Sequence, residues 1–279
     1  MTQLLLCTDL DRTLVPNGPQ PESPQARPMF KHLAAHPQVT LVYVSGRHQA
    51  LVEEAVTTYD LPMADYVIGD VGSTLYRIQG TRWTYLQEWE QHIHSDWQSR
   101  SASELHGLIS GIDALTLQEA EKQNAYKLSY YVSLNADHEG ILANIRQTFA
   151  SASIRAHVIW SIDEQAHVGL LDILPASAGK RQAIEFLMQS LGFDYDTTVF
   201  AGDSGNDIDV LCSPIPAVLV ANASTEVRQA ALKQARQQQA DNLYLARGDF
   251  MGMNGNYSAG IIEGVVHYLP QVQDWLQVE

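Results

Sequence analysis

Apolar residues along the chain gather into short unbroken runs, each ending in small, polar or acidic residues. Leu4-Leu5-Leu6-Cys7, Val39-Thr40-Leu41-Val42-Tyr43-Val44 and Tyr66-Val67-Ile68-Gly69 predict strands buried on both faces. Helical signals lie between them, over 24–36 and 48–59. Later the same alternation returns: a helix over 179–191, a strand over 197–201, a helix over 207–211, a strand over 217–220 and a helix over 224–238. Ala183, Ile184, Leu187, Met188 and Leu191 share one face of the first of these helices, and Gly192 supplies its stop. Strand and helix in this order are the βαβ pattern of a parallel sheet.

The middle of the chain reads differently. A polar, tryptophan-containing helical region from Trp83 to about Leu108 precedes Lys127–Leu134, which alternates like a half-exposed strand. A helix over 138–150 follows, then strands Ile154–Trp160 and His167–Leu174 joined by the turn-rich Ser161-Ile162-Asp163-Glu164. Such an order suits a small antiparallel sheet backed by helices. The expected architecture is therefore α/β: a Rossmann-like parallel-sheet core from 1–82 and 175–279, with an α+β cap over 83–174 inserted into it. The Pro- and Gly-rich Pro16–Pro21 predicts a loop, either a flap over a site or a plain connector.

Composition narrows the partners. The chain has 279 residues, 45% hydrophobic and 18% charged, as a soluble globular protein does. Its net charge of −15 argues against nucleic-acid and anionic-membrane partners, which most of the surface would repel. Any anionic substrate must be attracted locally. No stretch approaches the ~18 apolar residues of a spanning helix. The start lacks a basic leader and Asp9 interrupts its apolar run, so the expected location is cytoplasmic. Cys7 and Cys212 read as core thiols, not a disulfide. Trp83, Trp89, Trp97 and Trp160 are core candidates, and His157 and His167 read as ordinary strand histidines.

Candidate chemistry sits where the runs end. Asp9, Asp11 and Thr13 follow the first run, and Gly202-Asp203-Ser204-Gly205-Asn206-Asp207 follows a later one. In parallel sheets the loops at the carboxyl ends of strands hold the active site. Carboxylates gathered there repel one another unless a cation sits among them, and hard oxygen ligands suit Mg²⁺. Ser45-Gly46-Arg47 ends another run, where a small hydroxyl and a glycine can approach an anionic oxygen. Lys180 in the first turn of its helix opposes the helix dipole, a penalty that a nearby anion reverses. Alone, Asp-x-Asp is a common solvated pair and Lys180 suits a solvated lysine as well as a phosphate ligand; the order of all four signals favours a site. Asp70 and Asp172 also lie near strand ends, where solvated or capping roles are expected.

In that order the four signals resemble the motifs of haloacid-dehalogenase-type phosphohydrolases. The insert resembles the C2-type α/β cap of that superfamily's sugar-phosphatase branch. More narrowly, Leu4–Leu14, Asp65–Tyr76, Tyr126–Tyr130, Asp172–Pro175 and Tyr257–Gly264 are similar to bacterial and plant sucrose-phosphate phosphatases. The resemblance implies Asp9 as nucleophile, giving an aspartyl-phosphate, and Asp11 as general acid and base. It implies Mg²⁺ held by Asp9, Asp11 through its backbone carbonyl, Asp203 and Asp207. Ser45, Gly46, Lys180 and Asn206 are then the phosphate ligands, with Asn206 also orienting Lys180. Arg47, Lys127 and Tyr126 are expected at the sugar, although Tyr126 and Tyr130 equally suit the core of a sheet face. Thr13 is expected to brace its loop through hydroxyl-to-backbone bonds, and Arg12 has no assigned role. The implied substrate is a sugar phosphate, sucrose 6-phosphate first. Another phosphorylated disaccharide or a mannosyl or glucosyl osmolyte glycoside is the near alternative, and a phosphosugar mutase a further one. A regulatory binding protein is the reading from another class, and it would be expected to show a broken motif. Association with a sugar-phosphate synthase is left open.

Overall fold

The computed structural model describes residues 3–163 and 166–276. In chain order its strands are β1 (Leu4–Thr8), β2 (Val39–Val44), β3 (Tyr66–Gly69), β4 (Thr74–Gln79), β5 (Arg82–Tyr85), β6 (Thr116–Leu117), β7 (Leu128–Val132), β8 (Ala156–Asp163), β9 (Val168–Pro175), β10 (Thr198–Gly202), β11 (Ala217–Leu219) and β12 (Leu243–Leu245). Its α-helices are α1 (Ala26–Ala34), α2 (Gln49–Thr58), α3 (Gln87–His94), α4 (Ala102–Ile109), α5 (His138–Ser151), α6 (Lys180–Leu191), α7 (Ile208–Leu211), α8 (Thr225–Gln238) and α9 (Ser258–Tyr268). The strands form a large sheet of order β12-β11-β10-β1-β2-β3-β4-β5 and a smaller one of order β6-β7-β9-β8. From β12 to β3 every pairing in the large sheet is parallel.

Period-two alternation along β1 divides its side chains between two cores. Leu4 and Leu6 pack with Phe30 and Leu33 of α1 and Ile261, Ile262 and Val265 of α9. Leu5 and Cys7 face the other way, toward Ala183, Ile184 and Leu187 of α6 and Val210 of α7. Burial on both faces is why this strand and its neighbours read as unbroken apolar runs. A third cluster joins Trp97, Leu105, Ile145 and Phe149 to Tyr130, Leu171 and Ile173 of the smaller antiparallel sheet. Trp89 and Trp97 are fully buried, while Trp83 and Trp160 are partly buried at the margins of their clusters.

Several elements differ from expectation. Residues 74–85 form a β4–β5 antiparallel hairpin at the edge of the large sheet. β4 has three buried positions out of period and β5 has none, and neither carries an apolar run, so periodicity did not reveal them. The expected insert boundary at 83 falls inside β5; the chain leaves the large sheet only after Tyr85. The stretch from Trp83 to Leu108 is not one helical region but the end of β5, then α3, a turn and α4, which begins in a capping box of Ser101 and Glu104. Ser161, Ile162 and Asp163 extend β8 because they pair with Leu170, Gly169 and Val168, where a turn was expected; Glu164 lies outside the described residues. Helix α9, buried from Ser258 through Val266, has no polar face to give it a helical period.

One glycine fixes how the sheet and α6 meet. Gly72 has φ of +99°, and a Cβ there would lie 2.2 Å from the carbonyl carbon of Gly179, the residue before Lys180. A side chain is excluded by conformation and by space. Gly72→Ala is expected to lower unfolding free energy by about 2 kcal/mol or more in denaturant titrations. A loss below about 0.5 kcal/mol would show that the Gly179 segment moves aside freely.

Candidate active site

The end of β1 places the first acidic group. Asp9 N–H donates to the Ala201 carbonyl of β10 at 2.9 Å, one residue beyond the β1–β10 ladder. The chain then turns sharply: the Leu10 carbonyl accepts from the N–H groups of Thr13, Leu14 and Val15, and Arg12 takes φ of +57°. Leu10 N–H donates to Asp9 Oδ1 at 2.8 Å, and Asp9 Oδ2 lies 3.2 Å from Lys180 Nζ. Asp9 is 4% exposed. Burial pushes its carboxyl well above the usual carboxylate range, Lys180 pulls it down, and Asp207 and Asp203 push it further up.

Beside it, β10 delivers the second cluster. Asp207 Oδ2 accepts from the backbone N–H of Asp203 (3.1 Å) and Ser204 (3.0 Å), while its Oδ1 accepts from Lys180 Nζ at 2.7 Å. Asp203 accepts from the Thr13 hydroxyl at 3.1 Å, with Arg12 Nε at 3.6 Å from its other oxygen. Thr13 therefore braces a carboxylate, not the backbone of its loop, and Arg12 acquires a place beside Asp203. Burial, then the charge of Asp207, raises the Asp203 carboxyl to about 7. Oxygens of Asp9, Asp203 and Asp207 lie within 4.8 Å of one another. Three carboxylates face two cationic side chains, Lys180 and Arg12, and these hard oxygen donors fit a divalent cation such as Mg²⁺. Burial works against the Lys180 charge, but Asp207 and Asp9 outweigh it and hold the ammonium above the usual lysine range.

The Asp11 carboxylate is not in this group. Arg47 grips it in a two-pronged pair, Nε to Oδ2 at 2.8 Å and Nη2 to Oδ1 at 2.7 Å, and Asn17 Nδ2 donates to Oδ1 at 2.7 Å. Burial raises the Asp11 carboxyl, yet the Arg47 bonds and charge overcome it, and the net direction is down. Asn17 belongs to the Pro16–Pro21 loop, whose far end is tied down by Tyr257 Oη to the Gln20 carbonyl (3.1 Å) and Asn254 Nδ2 to the Pro21 carbonyl (2.8 Å).

Of the residues expected to bind phosphate, Ser45 is fully buried and its Oγ accepts from Arg47 N–H at 3.2 Å. Asn206 Oδ1 accepts from Lys180 Nζ at 2.9 Å. At 4% exposure Lys180 is no solvated surface lysine.

A cavity of about 740 Å³ opens between the two sheets over Asp9, Asp203 and Asn206; Ser45, Lys180 and Asp207 are not among its walls. Asp9, Asp11, Gly46, Arg47 and Asp203 line it on the large-sheet side; Gln118, Lys122, Lys127, Tyr131, Asp163 and Asp172 line it on the other. Tyr126, expected at the sugar, is not among its walls. The Tyr126 hydroxyl donates to Glu90 Oε1 at 3.1 Å and meets His94 Nδ1 at 3.0 Å, and its ring packs near Trp97. It alternates to the packed side while Lys127 faces the cavity. Asp70, expected to be solvated or capping, is 5% exposed and faces Lys127. Burial raises its carboxyl, and Lys127 and Thr74 partly offset that. Asp172, also on the cavity wall, accepts from the Ser129 hydroxyl. A separate cavity of about 550 Å³ between Tyr85 and Phe186 shares no residue with the acidic site.

Sequence reasoning missed Asn222, whose side chain donates to the Arg12 carbonyl (2.6 Å) and accepts from Tyr257 N–H (2.8 Å). Its partner is 210 residues away, so no local pattern signals it. Asn17, two residues into a loop already flagged as a flap candidate, had a weak signal in its nearness to Asp11.

A profile of the sucrose-6F-phosphate phosphohydrolase family matches residues 2–269. The chain belongs to this family. Members and neighbours of the family are haloacid-dehalogenase-type phosphatases, and the chain is an enzyme of that type, a phosphoric monoester hydrolase. It is 50% identical over 275 residues to a putative HAD-like hydrolase of Nitrosococcus oceani, covering 99% of this chain and 74% of that one. It is 30% identical to the mannosylfructose-phosphate phosphatase of Agrobacterium fabrum, covering 95% and 96% of the two chains. Among solved structures, the sucrose-phosphatase of Synechocystis sp. PCC6803, in complex with sucrose and phosphate, superposes with a TM-score of 0.78 at 26% identity. That match covers 96% of this chain and 98% of the other. No helix among the described residues is long and apolar enough to cross a membrane.

Raised carboxyls in the folded state bind protons that the unfolded chain has already released, so they oppose folding as pH rises through that interval. Metal-free protein is therefore expected to lose stability between pH 3.8 and about 7, the ordinary and raised positions of Asp203. Mg²⁺ should restore more stability near the top of that range, where it does not compete with protons. Thermal melts with chelator and with Mg²⁺ test this, and Asp203→Asn should flatten the trend. A chelated protein that gains stability throughout the interval contradicts the assignment.

Proposed function

We propose that the chain hydrolyses a phosphorylated disaccharide, sucrose 6-phosphate foremost, through an aspartyl-phosphate on Asp9. The observation that carries this reading is the buried Asp9 carboxylate, with Lys180 at 3.2 Å and Asp203 and Asp207 beside it, at the floor of a cavity roofed by the smaller sheet. That sheet and its helices act as the cap and read the sugar.

A phosphomonoester resists attack because its oxygens repel nucleophiles. Mg²⁺, when bound among Asp9, Asp203 and Asp207, neutralises charge on the carboxylates and phosphoryl group. Lys180 and the Ser45 hydroxyl hold phosphoryl oxygens, and Asn206 keeps the ammonium aimed. An Asp9 oxygen attacks phosphorus, the P–O bond to the sugar breaks, and Asp11 gives its proton to the departing oxygen. A dianionic phosphate close by raises the proton affinity of Asp11 and competes for Arg47, which prepares that proton. In the second step Asp11 takes a proton from water as it attacks the acyl phosphate, releasing phosphate and restoring Asp9.

A second reading keeps this chemistry and changes the sugar to a mannosyl- or glucosyl-type glycoside. The similarity to a mannosylfructose-phosphate phosphatase over nearly both full lengths supports it. Intact Asp9, Asp11 and Asp203 weigh against a non-catalytic binding role.

Phosphate release across a panel of phosphorylated disaccharides and osmolyte glycosides, with Mg²⁺ and with chelator, separates the two sugars. The expected result is metal-dependent turnover strongest on sucrose 6-phosphate; strongest turnover on a mannosyl or glucosyl glycoside phosphate selects the second reading. Asp9→Asn is expected to cut turnover by at least about a thousandfold while leaving the melting curve folded. Near-normal turnover in that variant would remove Asp9 as nucleophile.

A further inference from the structure

Three successive residues after β3 occupy the left-handed region: Asp70, Val71 and Gly72, with φ of +52°, +61° and +99°. For β-branched Val71 this conformation is costly. Strain of this kind persists only where the surroundings over-determine it, and it gathers at sites of function. Here the surroundings are the phosphate-binding elements. Asp70 N–H donates to the Arg47 carbonyl and Val71 N–H to the Ser45 carbonyl, each at 3.0 Å, and Gly72 abuts Gly179 just before Lys180. The same three residues deliver the Asp70 carboxylate to the cavity wall.

At that wall Asp70 meets Lys127 of the smaller sheet. Thr74 Oγ1 donates to Asp70 Oδ2 at 3.1 Å, fixing the carboxylate, and Lys127 Nζ stands 3.7 Å from Oδ1. That separation is an ion pair but not a hydrogen bond. Among the described residues Lys127 Nζ makes no hydrogen bond, although its side chain is 6% exposed. Its donors open to the cavity, where a ligand can supply acceptors. Sugar hydroxyls do so, since each can accept from an ammonium and donate to a carboxylate. Paired with Asp70, Lys127 presents little net charge, which suits neutral hydroxyls better than a second anionic group.

We propose that Asp70 is a specificity-determining positioning residue, holding Lys127 from the core side so that the pair reads hydroxyls of the neutral glycosyl group. The inference rests on the phosphatase reading above. It ties recognition of the sugar to the backbone that shapes the phosphate turn.

Asp70→Asn is the informative variant, because asparagine tolerates the left-handed conformation and removes only the charge. Asp70→Gly, which adopts that φ freely, is the second variant should the first not fold. With Mg²⁺ present, kcat and KM are measured on the phosphoglycoside that wild-type enzyme prefers and on p-nitrophenyl phosphate. The expected result is a rise of about tenfold in KM for the phosphoglycoside, with kcat and aryl-phosphate turnover held within about twofold. Lys127→Met should give the same loss, and the double variant no more than either single one. Equal losses on both substrates, a fall in kcat alone, or additive losses in the double variant would overturn the proposal. A wild-type enzyme that turns over aryl phosphate but prefers no phosphoglycoside removes the substrate reading, and this proposal with it. A wild-type preference that survives in Asp70→Asn removes this proposal alone.

Discussion

Carboxylates with oxygens within 4.8 Å of one another, buried together, repel strongly unless positive charge stands between them. Asp9, Asp203 and Asp207 are in that situation, and much of the molecule is arranged around it. Lys180 enters from the first turn of α6 and bonds Asp207 and Asn206 while facing Asp9. Its place against the helix dipole is tolerable because three acidic groups lie in front of it. Arg12, turned back by its left-handed φ, approaches Asp203 from the other side. The residual negative charge among these hard oxygen donors suits a divalent cation.

Rigidity comes from the parallel pairing of β1 and β10 with cores on both faces. A carboxylate cluster that disfavours its own assembly must be held by something that does not yield, and close-packed sheet faces supply that. The loops above are tied in turn: Asn222 to the Arg12 carbonyl, Thr13 to Asp203, and Asn17 to Asp11. With 17 Lys and Arg against 32 Asp and Glu, the chain sets Lys180 and Arg12 against the acidic cluster. Arg47 and Lys127, further out, are each matched by a carboxylate, Asp11 and Asp70.

Strands β1, β2, β3 and β10, the acidic clusters at their ends and the helix opened by Lys180 were legible because each is a local pattern. A run buried on both faces is apolar at every position, and the residue after it falls at the sheet's carboxyl edge. The β4–β5 hairpin was not legible, because an edge strand needs only partial burial and its partner supplies the rest. Helix α9 is nearly all buried, so its residues carry the mark of their surroundings and not of their period.

The site divides the same way. Which residue types stand at which strand ends, and hence the expectation of carboxylate chemistry with a hard cation, follows from the sequence, since carboxylates and lysines bear their chemistry wherever they fold. Direction and pairing belong to the tertiary structure. Tyr126 and Lys127 are neighbours in the chain, yet one turns into the packed layer with Glu90 and His94 and the other into the cavity. Asp70, which looked like a solvated strand end, is buried against Lys127, and Asp11 lies in the grip of Arg47. Those outcomes depend on contacts between segments far apart in sequence, and no pattern within a segment contains them.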